Sequence, residues 1–322
     1  MGNGFVDKIM KPAAQTLVAS ETQAGQRLDN WLLARLKGAP RTLIYRILRS
    51  GEVRVNSGRV RPSYRVAAGD RIRIPPIRLA EPEAPGAPPR RWLEALPQAV
   101  LFEDEALLAL DKPAGLAAHG GSGITHGVIE VMQHLHPDWP LLALAHRLDR
   151  ETSGCLLLAK TRPALLALHA ALQTGGVEKH YTGLLQGRLP LGREIRVNAP
   201  LEKQRERGGE RVVEVSGAGQ RADTRIQPLR HYGHATLADI RLGTGRMHQA
   251  RVHCAHIGHP LAGDDKYGDR AFNRELRPLG LKRHFLHAAR LAFRHPLSGE
   301  HVRVQAPLPA DLQTVLDRLT GR

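Results

Sequence analysis

The sequence predicts an α+β protein of two folded units: a small helix-pair-plus-sheet domain, then a larger mixed, mainly antiparallel domain. Three observations carry this. The 322 residues are 42% hydrophobic, more apolar material than one small module needs. Pro75, Pro76, Pro82, Pro85, Pro88, Pro89 and Pro97 crowd a stretch with almost no apolar periodicity, a semi-extended connection between folded parts. Beyond it, strand-like and helix-like segments mix without the regular alternation of a doubly wound sheet. The expected divisions are a mobile polar arm over 1–24, a basic domain over 25–77, a Pro-rich linker over 78–97 and the second domain over 98–322.

Charge is as unevenly placed as proline. Lys and Arg total 47 against 31 Asp and Glu, a formal net charge of +16, and 38 of the 47 are Arg. Genome base composition could explain a high arginine total, so the clustering is the stronger sign. Residues 27–78 hold 13 Lys or Arg against only Asp29, Glu52 and Asp70, a net +10. A polyanion is the partner that such a concentration suits.

Within the basic domain, Leu28, Trp31, Leu32 and Leu36 recur at helical spacing, and Leu43, Ile44, Ile47 and Leu48 repeat the pattern until Gly51 stops it. Pro40 suits the first turn of the second helix or the connection into it. The period then changes to alternation. Val53 and Val55 flank Arg54, Asn56-Ser57-Gly58 supplies a turn, and Ile72 and Ile74 flank Arg73, which leaves arginines on the outer face.

The second domain opens with VLFEDEALLALDKPAGLAAHGG, paired strands leading into a loop. Further strands are expected around 154–160, 181–186, 235–242 and 301–305. The clearest helix is PALLALHAALQ, with Thr161 as N-cap, Pro163 in the first turn and Gly175-Gly176 at its end.

Several chemistries lose their support. There is no Walker-type phosphate loop, no H-E-x-x-H, no G-x-S-x-G and no dinucleotide fingerprint. Cys155 and Cys254 form no C-x-x-C pair, which argues against a disulfide framework or a cysteine-built zinc module. His248, His253, His256 and His259 crowd one segment, but no acidic or cysteine partner completes a ligand spacing, so they are expected to be structural or RNA-facing, with no metal. No apolar run approaches the roughly 18 residues of a membrane span, and the first ten residues lack a signal-like apolar stretch, so a cytoplasmic protein is expected.

The informative stretch is AHRLDRETSGCLLLAK, where Asp149 follows Arg147 by two residues just before a turn into an apolar strand. A carboxylate on such a loop can project into a cleft, although R-x-D also occurs as a structural ion pair. Lys179-His180-Tyr181 opens the next strand, and LGTGRMHQARVHCAHIGHPLAGDDKYG supplies a second arginine-rich segment. In this order, DKPAGL, HRLDRETSG, K-H-Y, GRMHQARVH and GHPLAGDDKYG resemble the motifs of the RluA-type family of RNA pseudouridine synthases. The leading RLDNWLLARL, RTLIYRILRSGEVRVNSGRV and AAGDRIRIP resemble the S4 RNA-binding domain. Within the family, AAHGGSG resembles a branch acting on 23S ribosomal RNA.

The resemblance implies roles for matching residues. Asp149 aligns with the catalytic aspartate, Tyr181 with the tyrosine that stacks on the target base, Arg251 with the arginine that ion-pairs with that aspartate, and Arg147 with the arginine that fills the gap left by a flipped nucleotide. Arg41, Tyr45, Arg46, Arg49 and Arg54 are implied to face RNA phosphates. The implied reaction moves uracil from an N1 to a C5 linkage on its ribose, with no cofactor, in a monomer whose partner is 23S ribosomal RNA. Whether Asp149 attacks the sugar or acts as a base stays open.

Two other readings compete: a noncatalytic RNA-binding protein, and a glycosidase using a second carboxylate from Asp264, Asp265 or Asp269. Those three aspartates lie in a loop more suited to shaping the cleft. Ala250 stands where the family usually has a branched apolar residue, which predicts looser packing beneath Arg251. Met247 stands where Thr or Ser is frequent, and Glu151 replaces a frequent Asp.

Overall fold

The computed structural model describes residues 14–36, 38–77, 86–121, 124–205 and 211–321, in two units that divide between Gly86 and Ala87. The smaller contains β1 (Gln15–Val18), α1 (Leu28–Arg35), α2 (Arg41–Arg49), β2 (Arg54–Val55) and β3 (Arg71–Ile74), with strand order β1-β3-β2. Leu28, Trp31 and Leu32 from α1 and Ile44, Ile47 and Leu48 from α2 bury against Val55, Ile72 and Ile74, so the two predicted periods meet in one core. Pro40 precedes α2 rather than entering its first turn. Asn56 and Ser57 both take positive φ, 49° and 70°, while Val55 and Gly58 exchange backbone hydrogen bonds around them. This is a two-residue turn whose twist suits antiparallel strands.

Two expectations are corrected here. Residues 15–18 were read as part of a mobile arm, yet they pair antiparallel with 71–74 as β1. Only Leu17 of this strand packs against the core, too little for an apolar pattern to show in the sequence. The Pro-rich linker contains a helix, α3 (Arg90–Gln98), with Pro89 at its cap position and Leu96 buried. Proline at a helix start was mistaken for proline in a spacer. Residues 1–13 of the arm and 78–85 of the linker lie outside the described residues.

The larger unit continues from α3 into β4 (Val100–Glu103), β5 (Leu107–Lys112), α4 (Val128–Leu135), β6 (Ala143–Leu144), β7 (Ser153–Ala159) and α5 (Arg162–Thr174). Then come β8 (Val177–Gln186), β9 (Ile195–Val197), β10 (Leu201–Arg205), β11 (Arg211–Val215), β12 (Thr224–Tyr232) and β13 (Ala235–Leu242). It ends with α6 (Gln249–His256), α7 (Arg270–Leu276), β14 (Leu286–Arg294), β15 (His301–Gln305) and α8 (Ala310–Thr320). Among the described residues, ten strands form one sheet, β4-β5-β7-β14-β8-β13-β12-β9, with β15 beside β14 and β6 beside β7, while β10 and β11 make a separate antiparallel pair. Its pairings are antiparallel except that of β7 with β14.

The sheet is buried on both faces around β7. Leu156 and Leu158 share one core with Val128, Val131 and Met132 of α4, whereas Cys155, Leu157 and Ala159 share another with Ala164 and Leu168 of α5. Helix α5 is bounded as its sequence predicts: Thr161 accepts the Ala164 N–H, and Gly175 closes the end at φ 80°. Where β7 meets β14, Gly154 adopts φ 106°, and a Cβ there would stand 2.3 Å from the Ala288 carbonyl oxygen. Only glycine fits this crossing, immediately after the loop that carries Asp149.

Candidate active site

The loop from Ala145 to Thr152 joins β6 to β7 and is gripped residue by residue. Lys112, buried at the end of β5, donates to the carbonyls of Pro113, Leu116 and Arg150 at 2.8, 2.8 and 3.1 Å. Burial pushes this amine down to about 7, against which three carbonyl acceptors favour the ammonium form. Arg283 donates to the Glu151 carbonyl at 3.0 Å and to Ser153 Oγ at 3.2 Å, with its own fork held by Asp311 at 2.8 and 3.2 Å. His284 Nε2 lies 2.8 Å from Thr152 Oγ1, and His287 Nδ1 lies 3.0 Å from Ser153 Oγ. Burial pushes His284 down to about 4, so its imidazole is neutral.

Asp149, held by this loop, is half-buried, and its Oδ2 lies 3.2 Å from Nη1 of Arg251 on α6. The remaining donors of Arg251 close on a second carboxylate: Nε to Asp264 Oδ2 at 2.7 Å and Nη2 to Asp264 Oδ1 at 2.9 Å. Asp264 is buried and also accepts the backbone N–H groups of Lys266 and Tyr267, each at 3.0 Å. Burial alone would raise its carboxyl, but the Arg251 guanidinium and those amides hold it below the usual range. Burial likewise works against the Arg251 charge, and the two carboxylates outweigh it, leaving its pKa raised. The bidentate pair with Asp264 therefore sets the direction in which Nη1 points at Asp149.

A cleft of about 450 Å³ opens beside Asp149, lined by Arg147, Tyr181, Lys179, Thr244, Arg246 and Met247 among others. Tyr181, buried on β8, presents an uncharged ring to it, since burial and then the Asp149 charge raise its hydroxyl pKa. Arg147 is exposed at the cleft wall, and the partner of Asp149 is Arg251 from a distant helix, so the R-x-D pair is not the structural ion pair that the motif also permitted. A smaller cavity of about 50 Å³ is bounded by Asp149, Tyr181, Ala250 and Arg251, in keeping with the small side chain at 250.

His248 precedes α6 in the left-handed region at φ 53°; its Nδ1 lies 2.9 Å from the Tyr267 hydroxyl and its Nε2 3.9 Å from Asp149 Oδ2. Burial lowers its pKa, the first cause ahead of the neighbouring charges. His253 bonds Thr224 and the Ala199 carbonyl, and His259 bonds the Gln186 carbonyl, so both serve as internal struts. Two of the three carboxylates weighed as a second acid are engaged elsewhere. Asp264 is closed on Arg251, Asp269 caps α7 through the Phe272 N–H, and Asp265 stands exposed 3.9 Å from Arg277.

In the smaller unit, Arg41, Arg46 and Arg49 are exposed along α2. The Tyr45 hydroxyl donates to Asp29 at 2.9 Å, and Asp29 also receives the fork of Arg27, so this phenol braces the domain. Arg54 lies instead on the sheet, in a groove shared with Arg71 and Arg73.

Sequence reasoning missed Lys112, Arg283, His284 and His287 as supports of the loop, and it read Asp264 as cleft-shaping without seeing its hold on Arg251. The D-K-P-A-G-L motif was visible, and a lysine inside an apolar strand was the available signal. Nothing local marks the other partners.

Profiles of known families and individual relatives show what the chain is similar to. The profile described as RNA pseudouridylate synthase matches residues 106–256, and that described as S4 domain matches residues 26–72. Ribosomal large subunit pseudouridine synthase C of Pasteurella multocida (strain Pm70) is 48% identical, over 97% of this chain and 96% of the relative. The protein of the same name from Escherichia coli (strain K12) is 46% identical, over 97% of this chain and 98% of its own. Among solved structures, human RNA pseudouridylate synthase domain containing 4 aligns with a TM-score of 0.58 and 27% identity, over 71% of this chain and 95% of that one. With near-complete coverage at this identity, the chain belongs to the RNA pseudouridylate synthase family.

Proposed function

We propose that this protein isomerises uridines of 23S ribosomal RNA to pseudouridine, with Asp149 as the catalytic group. The observation that carries the reading is the aim of Asp149: a gripped loop and an anchored Arg251 hold its carboxylate at a cleft walled by Tyr181. The ribosomal target rests on the names of the relatives, which span nearly the whole chain.

A uridine in folded RNA must leave its stack before its glycosidic bond can be reached, at a cost of a few kcal/mol. Arg147, exposed at the cleft wall, occupies the gap, and the Tyr181 ring returns about 1–3 kcal/mol by stacking on the extruded base. Asp149 then acts at the sugar. The N1–C1′ bond breaks, the C5–C1′ bond forms, C5 loses a proton and N1 gains one, so the atoms balance without oxidant, water or energy source. The enzyme works as a monomer, without cofactor or metal, in the cytoplasm. Among the described residues no helix is long and apolar enough to cross a membrane. The basic domain over 25–77 docks the RNA, and the domain over 98–322 performs the chemistry.

The Asp149→Asn variant tests the assignment, because it keeps the size of the side chain and removes its charge. Incubated with a 23S transcript, it is expected to bind RNA near wild-type affinity and to form no pseudouridine by chemical mapping. Pseudouridine formed by the pure variant would sink the role of Asp149. Free uracil released by the wild type would favour a glycosidase.

A further inference from the structure

We propose that the smaller unit grips an RNA phosphodiester backbone across the open face of its three-stranded sheet, through Arg54, Arg71 and Arg73, rather than along α2. This rests on the reading of RNA as the substrate and adds the face that binds it.

The register dictates the arrangement. Arg73 of β3 is paired with Arg54 of β2 on one side and with Thr16 of β1 on the other, so the three side chains form a row on one face. Arg71, two residues before Arg73, adds to the same face, because side chains alternate along a strand. Val55, Ile72 and Leu17 form the opposite row, turned into the core. The arginine face borders a groove of about 670 Å³, completed by Asn56 and Ser57 at the left-handed turn.

Such an arrangement works against the fold. Like charges directly opposite one another weaken a pair of strands. Among the described residues, no carboxylate forms an ion pair with Arg54, Arg71 or Arg73. The nearby acids are already engaged: Asp70 is buried and accepts the Ala67 N–H, the Tyr64 hydroxyl and the Asn56 amide, and Glu52 accepts the Ser50 hydroxyl. Among the described residues, Arg54 and Arg73 reach only backbone carbonyls, those of Gly51 and Ser57 for Arg54 and that of Glu52 for Arg73. A polyanion threaded along the groove neutralises the row, and neighbouring phosphates on one strand supply charges in series, as no single small anion does.

Helix α2 offers a different surface. Its three arginines are exposed, but Tyr45 between them is tied to Asp29, and Arg49 turns its Nε back to the Tyr45 carbonyl. The sheet has concavity, a row of cations and uncompensated charge together.

Two full-length variants separate the faces: Arg71→Ala with Arg73→Ala, and Arg41→Ala with Arg46→Ala. Each is titrated with a transcribed 23S fragment over a series of KCl concentrations. The sheet variant is expected to lower the slope of log affinity against log salt by about 1.4–1.8, roughly 0.7–0.9 per lost phosphate contact. The helix variant is expected to keep the wild-type slope. A wild-type slope in the sheet variant, or a reduced slope confined to the helix variant, overturns the proposal. Relief of like-charge repulsion should leave the melting temperature of the sheet variant at or above wild type. Should it melt lower, Arg71→Lys with Arg73→Lys decides: keeping the charges must restore the slope, and failure to do so refutes the docking role. Wild-type protein that binds no RNA would instead overturn the functional reading beneath.

Discussion

Arg251 in the larger unit and Arg73 in the smaller carry the same guanidinium into opposite settings. Arg251 is buried, with its fork closed on Asp264 and one nitrogen left for Asp149, and Arg283 repeats the pattern with Asp311. Arg73 is exposed, faces another arginine across the sheet and pairs with no carboxylate among the described residues. Burying an ion pair costs desolvation that its attraction barely repays, so an arginine of the first kind contributes direction more than stability. One of the second kind adds little to the fold and keeps its charge for a partner. The contrast shows why the total of 38 arginines says little until each is placed.

The contrast breaks most visibly at Asp264. Asp264→Asn leaves Arg251 buried beside a neutral amide, and it is expected to cost about 3–5 kcal/mol in urea unfolding while activity collapses. Arg73→Ala should stay within about 0.5 kcal/mol of wild type in the same assay. Equal losses in the two variants would erase the distinction.

A pH titration sharpens the comparison, because the larger unit also buries neutral imidazoles. The His284 pKa is lowered from 6.5 to about 4 by burial, so the folded protein binds fewer protons there than the unfolded chain. Its contribution is complete above pH 6.5 and is lost as the pH falls through 6.5 toward 4, on the order of 3 kcal/mol in all. Denaturation between pH 4 and 7 should show this slope for wild type and a flatter one for His284→Gln. Identical slopes would mean that His284 does not set it.

A smaller loss is expected at a lysine that, like the buried arginines, holds other groups in place. Lys112→Met removes a donor shared by three carbonyls and should cost roughly 1–3 kcal/mol. Because one carbonyl belongs to Arg150, next to Asp149, kcat should fall while KM stays near wild type. Steady-state rates on a transcript would show it, and an unchanged kcat would detach Lys112 from the loop.

Local chemistry was the legible part of this molecule. The caps of α5, the paired helices of the basic domain and the alternation of β2 and β3 all depend on residues within a few positions of each other, and the structure has them close to where the sequence placed them. The motif around Asp149 was equally visible. Its machinery was not, because Lys112, Asp264, Arg283 and His284 act through contacts that no local period records. Strand β1 escaped notice for the same reason: its partner lies more than fifty residues downstream.

That distance matters in time as well as in space. The loop carrying Asp149 is secured by Arg283, His284 and His287, about 130 positions later in the chain. During synthesis, the motif emerges long before the residues that tighten it, so the larger unit cannot fix the Asp149 loop until nearly all of its length has left the ribosome. High contact order of this kind slows folding and leaves apolar strand edges open meanwhile. A nascent fragment ending before Arg283 would hold the whole RLDRETSG motif and still lack the side chains that keep its loop in place.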